Sequence, residues 1–136
     1  KIESEDIKKI AKEIVQYDEA YHLSDKSDDI NELYEQFRDR ILGLTTDLEI
    51  HPKKMYIAFR KGKRNYVYMN IRTKQIRIWL NMPFSQLDDP KKLAKDVTNV
   101  GHWGNGDCEV VVSDTENLEY ILSLVKQPLK QILGNN

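Results

Sequence analysis

The sequence predicts an α+β single domain: an antiparallel sheet of about four strands, with two N-terminal helices and a C-terminal helix packed on its aliphatic face. Three observations carry this prediction. Apolar residues recur with a 3.6-residue period near both ends of the chain, and with a two-residue period in its middle. The 136 residues are enough for one domain with its own core. Residues 1–16 are a candidate linker helix from a larger protein, and 17–133 the core.

Each predicted helix begins at polar caps and carries one apolar stripe. The predicted helices cover residues 4–16, 28–44, 85–97 and 113–132. Ser113 to Glu116 reads as a capping box that opens the last helix, and Pro128 should interrupt it. The polar stretch 17–29 is predicted to be a loop.

The strand period begins after Pro52. The predicted strands are about 54–60, 64–72, 75–81 and Cys108–Val112, and the first three are joined by turns short enough for hairpins. Alternation places aliphatic side chains on one face, which the helices must cover. These residues are Met55, Ile57, Phe59, Val67, Met69, Ile71, Ile76, Ile78 and Leu80.

The opposite face of the predicted sheet carries aromatic and basic side chains. They are Tyr56, Arg60, Tyr66, Tyr68, Asn70, Gln75, Arg77 and Trp79. Aromatic rings interleaved with arginines are typical of surfaces on which unpaired bases stack. Two other interpretations stay open: these residue types also suit a half-buried pleated surface, and the N-terminal helix could cover the face as a second core.

The charge of the chain is unevenly distributed. Residues 50–87 contain nine Lys and Arg and no acid, while the whole chain has a net charge of −1. A basic block on the strands indicates a polyanion or an acidic protein surface as partner. The candidate nucleic-acid-binding residues are Lys61, Lys63, Arg64, Tyr66, Tyr68, Arg77 and Trp79.

The heptapeptide Gly101–Asp107, GHWGNGD, is the least generic segment of the sequence. One interpretation is a ligand loop with exposed amides, in which His102, Asn105 and Asp107 act on the ligand. The other is a tight crossover in which Trp103 fills a gap in the core and the glycines let the chain turn. The second is favoured, and the segment lacks the ending of a phosphate-binding loop.

No pattern for catalysis accompanies these features. Three histidines and one cysteine show no metal-ligand spacing, so neither a metal nor another cofactor is predicted. Cys108 opens an apolar strand and is expected to be a buried hydrophobe rather than a nucleophile. The basic strands hold no acid from which a nuclease metal site could be built. No catalytic residue is assigned, and an enzyme ranks third among the functions considered.

The chain reads as part of a cytoplasmic protein. A lone cysteine fits a reducing compartment, and the sequence has neither a signal peptide nor an apolar run that could span a bilayer. Its first residue is not methionine, which predicts a piece excised from a longer polypeptide.

The order of motifs also resembles a known family. YIAFRKGKRNYVYMNIR, LNMPF…LDDP and GHWGNGD, with a closing helix, resemble an uncharacterised bacterial and archaeal domain family often labelled "predicted transport protein". The resemblance spans about residues 17–133. Members commonly form the C-terminal part of larger proteins, some of which resemble restriction and phage-defence proteins with separate nuclease domains. The resemblance implies an accessory module, supplies no catalytic residues, and the transport label has no support in the sequence.

The function expected from these observations is non-catalytic binding of DNA or RNA within a larger nuclease or defence-type protein. The alternative is a domain for protein interaction or homo-oligomerisation, which would use the same sheet face to contact other domains of the parent protein. No membrane partner is expected.

Overall fold

The computed structural model describes residues 16–101 and 106–133. The helices of this part of the chain are α1 (Glu19–Leu23), α2 (Asp28–Leu42), α3 (Leu118–Val125) and α4 (Lys130–Leu133), with a 3-10 turn at Phe84–Gln86. The strands are β1 (Glu49–Pro52), β2 (Ile57–Lys61), β3 (Arg64–Ile71), β4 (Ile76–Leu80), β5 (Lys95–Asp96) and β6 (Cys108–Val112). The helix predicted for residues 4–16 falls almost wholly outside the described residues.

The strands form one antiparallel sheet in the order β1-β2-β3-β4-β6-β5. The α+β class and the antiparallel pairing are confirmed, but within the described residues the sheet has six strands instead of about four. The two additional strands lie at the edges and contain only four and two residues. Such short segments carry too few alternations to give a periodic signal.

The aliphatic face of the sheet is the main core. All the predicted strand residues except Met55 are buried there, and helices α2 and α3 supply the covering layer. Helix α2 is capped by Ser27, whose hydroxyl accepts a hydrogen bond from the Ile30 amide at 3.2 Å. Val67, Ile78 and Leu122 are at most 3% exposed, so the strand register read from the alternation is right at Val67 and Ile78.

Residues 85–97 do not form the predicted helix. A carboxylate provides the reason: the two oxygens of Asp89 accept hydrogen bonds from the amides of Leu93 and Ala94, and Tyr120 donates its hydroxyl proton to the same group. These side-chain contacts hold the backbone in a loop, with Lys92 at a positive φ of 54°. The segment then enters the sheet as β5.

Two further predictions of local structure are wrong. The last helix begins at Leu118 rather than at the Ser113 capping box, because Asp114 accepts a hydrogen bond from the Glu116 amide in a tight turn. The expected loop at 17–29 contains α1, whose cap Asp18 accepts a hydrogen bond from the Tyr21 amide at 2.8 Å. The interruption at Pro128 is confirmed, since it lies between α3 and α4.

Candidate functional site

The second face of the sheet is a small core of its own. Ala58, Tyr68, Trp79 and Val97 form a buried cluster there, with Tyr56 packed against it edge to face on Tyr68. Tyr68 and Trp79 are each 1% exposed. Their rings therefore do not offer the open stacking surface that the alternation suggested. The face is buried at these positions, and the N-terminal helix expected as its cover lies outside the described residues.

Tyr66 does not lie on that face. The pairing of β2 with β3 shifts between Phe59 and Arg60, so that Phe59 faces Val67 while Arg60 faces Asn65. Tyr66 is the extra residue of this β-bulge and belongs to the main core. A bulge reverses the inward and outward order of the residues beyond it, which strict alternation along the sequence could not reveal.

A pocket of about 500 Å³ opens beside the second core. Its described lining is Arg77, Trp79, Lys95, Val97, Val100, Gly101 and Glu109. This volume is in the range of sites for small organic ligands. We call it the Arg77–Glu109 pocket. Val100, at its margin, is 54% exposed.

Strands β4 and β6 place the polar groups of this pocket next to one another. Trp79 is the register partner of Glu109, and its Nε1 donates a hydrogen bond to Glu109 Oε1 at 3.0 Å. Arg77 Nη1 is 4.0 Å from the same oxygen. The Nε atom of Arg77 is buried and has no hydrogen-bond partner among the described residues, while the side chain as a whole is 37% exposed. The pocket thus presents an arginine side chain next to a carboxylate that accepts a hydrogen bond from an indole.

The basic candidates on the β2–β3 hairpin lie at one end of the sheet, apart from this pocket. Lys61, Lys63 and Arg64 surround the turn at Gly62, whose φ is +61°. Lys61 Nζ pairs with Asp47 at 3.2 Å, and the Arg64 guanidinium lies 5.2 Å from the Tyr66 ring centroid. Eight residues of β3 separate this hairpin from the next turn, a span of about 25 Å.

The opposite end of the sheet carries a second group of cations. Two adjoining depressions of about 710 and 490 Å³ share the side chains of Lys26, Met55, Asn70 and Ile71. The cations that line one or both are Lys26, Lys54, Arg72 and Lys74. We call this surface the basic groove. Among its described lining residues, the acidic side chain is Asp25, whose Oδ1 lies 2.6 Å from Lys26 Nζ in an ion pair.

The basic groove and the Arg77–Glu109 pocket are neighbours. Asn70, in the wall of the groove, is the direct cross-strand partner of Arg77 in the wall of the pocket. Side chains at such positions are about 5 Å apart on one face of a sheet. The two sites therefore adjoin at this pair of residues.

Comparison with known proteins gives the family of the chain. Residues 19–128 match the family described as "Domain of unknown function (DUF5655)". The chain belongs to the DUF5655 family. It is similar to an uncharacterized protein of Haemophilus influenzae, with 54% identity over 121 residues, which is 89% of this chain and 40% of that relative. No solved structure matches. Membership of a family of unknown function, expected from the motifs, is confirmed.

Several residues of the Arg77–Glu109 pocket were not predicted from the sequence. Glu109 stands between apolar residues in Cys108–Val112, so the alternation of that strand already placed it on the face opposite the core. Lys95 and Val97 were assigned to a helix, which hid their position beside β6. The site was missed because the element that completes it was misassigned.

The glycine loop of the DUF5655 domain is described only at its ends. His102, Trp103 and Asn105 lie outside the described residues, so the choice between ligand loop and core plug stays a prediction. Gly101 lies in the wall of the Arg77–Glu109 pocket. The carbonyl of Asp107 accepts a hydrogen bond from the Val97 amide at 2.9 Å, which ties the loop to the segment after β5.

Cys108 is fully buried, and burial raises the pKa of its thiol to about 11. A thiol in this state is a poor nucleophile. Within residues 16–101 and 106–133, no group of three or more His, Cys, Asp or Glu side chains could hold a metal ion. The same residues contain no helix long and apolar enough to cross a membrane.

His22 makes the stability of the DUF5655 domain depend on pH. Its Nε2 donates a hydrogen bond to the Lys53 carbonyl at 2.7 Å, and burial lowers the pKa of the imidazole below its ordinary value of 6.5. The unfolded chain therefore takes up a proton more readily than the folded chain. We expect the free energy of unfolding to fall as the pH drops through about 6.5, by at most about 1.4 kcal/mol per pH unit for one proton.

Urea denaturation at pH 7.5 and 5.5 would measure this dependence. The matched control is His22→Gln, whose amide can still donate to the Lys53 carbonyl but does not titrate. The variant should lose part of the decrease that the natural chain shows. An identical decrease in both proteins would show that His22 does not contribute.

Proposed function

We propose that this domain is a non-catalytic nucleic-acid-binding module of a larger protein, and that the basic groove holds the phosphate backbone. The observation that supports the proposal is the convergence of Lys26, Lys54, Arg72 and Lys74 around one concave surface. Lys54, Arg72 and Lys74 are exposed, and none of them has a described carboxylate within 4.0 Å. The one described side-chain hydrogen bond among these three cations runs from Arg72 Nη1 to the neutral Asn70 Oδ1 at 3.4 Å, so their charges are not neutralised by a described carboxylate and are available to phosphates.

Phosphate contacts suit this surface better than base stacking does. The rings that would have to stack, Tyr66, Tyr68 and Trp79, are at most 5% exposed. Contacts to phosphate supply affinity that does not depend on sequence, and each neutralised phosphate releases a counterion. The mode of binding that we propose is therefore electrostatic, with the groove lying along a strand or one edge of a duplex.

The larger protein is also part of the proposal. The chain spans 40% of the length of its Haemophilus influenzae relative, so in that protein a similar segment is joined to other sequence. We propose that the domain is an accessory part of a nuclease or defence-type protein, as the resemblance of its motifs implies. In that role it would bring nucleic acid to another domain that performs the chemistry.

Binding to labelled oligonucleotides at several salt concentrations tests the groove. With three or four phosphates neutralised, affinity should fall about 40-fold to 150-fold between roughly 50 and 200 mM salt. Replacing Arg72 and Lys74 with glutamine should weaken binding to all sequences alike. It should also reduce the slope of log affinity against log salt by about 2. Fluorescence anisotropy with single-stranded and duplex DNA and with RNA would measure both quantities.

The matched control replaces Lys63 and Arg64 with glutamine, which makes the same change in charge at the other end of the sheet. This variant should keep the natural slope. If it loses affinity and the Arg72/Lys74 variant does not, the groove is not the binding surface. Absence of binding at low salt to every probe would overturn the proposal and favour a protein-interaction domain.

A further inference from the structure

We infer that the Arg77–Glu109 pocket is a binding site for a single nucleobase, carried by a free nucleotide or by a nucleic acid in the basic groove. Where the base is carried by a nucleic acid in the basic groove, the inference rests on the proposed function. The ligand class follows from the polar groups of the pocket, its apolar lining, its charge and its position.

The polar groups fit the edge of a base. The Arg77 side chain is 37% exposed and makes no hydrogen bond to a described residue, so the Nη donors of its guanidinium can meet a ligand acceptor. Glu109 Oε1 is held by Trp79 Nε1 at 3.0 Å, while Glu109 Oε2 makes no hydrogen bond to a described residue. The pocket thus offers a donor and an acceptor side by side. Nucleobases carry the complementary acceptor and donor on neighbouring atoms of one edge.

The apolar lining fits one face of a base. Trp79 and Val97 contribute to the pocket although they are almost fully buried, and Val100 at the margin is 54% exposed. Because Trp79 and Val97 are almost fully buried, Val100 is the described apolar side chain that offers an open surface, on which one face of a base can lie.

The charge and the position of the pocket favour a ligand that has a phosphate next to the base. Lys95 is the register partner of Glu109, and its side chain lies at the same pocket, which therefore carries two cations and one anion. A net positive site accepts a nucleotide more readily than a neutral base. The Asn70–Arg77 pair connects the pocket to the basic groove, where a strand would continue.

The indole of Trp79 provides a site-specific reporter. Its Nε1–H resonance in a proton–nitrogen NMR spectrum reports on the Glu109 contact, and a Trp103→Phe variant distinguishes it from the other tryptophan. Adding the 5′-monophosphates of adenosine, guanosine, cytidine and uridine should shift this resonance in a saturable manner for at least one base. Ribose 5-phosphate, which has the phosphate without the base, should not shift it at equal concentration.

Two variants test the polar groups. Arg77→Lys keeps the charge but removes the planar guanidinium with its Nη donors, and Glu109→Gln keeps an acceptor for Trp79 but loses the carboxylate. Each should weaken mononucleotide binding about tenfold or more, since each removes a hydrogen bond to a charged group. Retention of the other amide resonances in the same spectra would show that the variants are folded.

Oligonucleotides distinguish the two sources of the base. If the base comes from a bound strand, a duplex with one mismatched pair should shift the Trp79 resonance, and a strand lacking all bases in its centre should not. If only mononucleotides shift the resonance, the ligand is a free nucleotide. The Arg72/Lys74 variant should lose oligonucleotide affinity while keeping mononucleotide binding, which separates failure of the groove from failure of the pocket.

Two results would overturn the inference. One is the absence of any shift of the Trp79 resonance with the four mononucleotides and with the mismatched duplex. The other is an equal shift with ribose 5-phosphate, which would make the pocket a phosphate site. Neither result would affect the proposal for the basic groove, because that rests on the salt dependence of strand binding.

Discussion

Replacing Trp79 with alanine should lower the free energy of unfolding by about 3–5 kcal/mol, as expected for the loss of a buried tryptophan. The side chain is 1% exposed and belongs to the second core with Ala58, Tyr68 and Val97. That core contains few side chains, so little apolar material is available to fill the cavity. The change also removes the donor that fixes Glu109 Oε1. Thermal and urea denaturation would measure the loss.

Trp79→Phe is the matched control for this prediction. Phenylalanine retains most of the apolar area but lacks the Nε1–H, so the loss should be smaller, about 1–2 kcal/mol, mainly from Glu109 losing a partner. A decrease below about 1 kcal/mol for Trp79→Ala would contradict the assignment of the second face as a core. The second face would then be better described as the exposed surface that the sequence predicted.

The regular parts of the fold could be predicted from the sequence because their periodicity is local. Helix α2 and strands β2 to β4 each hold a buried stripe at the expected spacing, and their turns are short. The segment 85–97 could not be predicted in this way. Its conformation depends on Asp89 and on Tyr120, which lie 31 residues apart. A contact at that distance along the chain gives no periodic signal.

The candidate site was predicted only in part, for a related reason. Arg77 and Trp79 were identified because strand alternation places them on one face. Their partners Glu109 and Lys95 come from strands that join the sheet later in the chain, and the order β4-β6-β5 is a tertiary feature. The bulge at Tyr66 is likewise set by the pairing of two strands. The sequence therefore showed which residue types the strands carry, but not which of these residues the strand order brings into one pocket.

Gly106→Ala should destabilise the domain by about 2–3 kcal/mol, near the upper end of the usual cost of inserting a methyl group into packed structure. A Cβ atom at Gly106 would lie 2.7 Å from the Leu80 carbonyl oxygen and 3.0 Å from the Leu80 nitrogen. Both atoms are backbone of β4, and Leu80 pairs with Cys108 in the ladder with β6. The clash cannot be relieved by rotating a side chain, so the strands themselves must separate.

Gly101→Ala is the control for this effect. A Cβ atom there meets no heavy atom within 4 Å, and the residue does not have a positive φ, so its effect should be within about 0.5 kcal/mol. Both substitutions restrict the unfolded chain equally, and the difference between them therefore isolates the contact with Leu80. Equal stability of the two variants would mean that Gly106 does not approach β4 in solution. The segment that leads from the glycine loop into β6 would then adopt a different path beside the Arg77–Glu109 pocket.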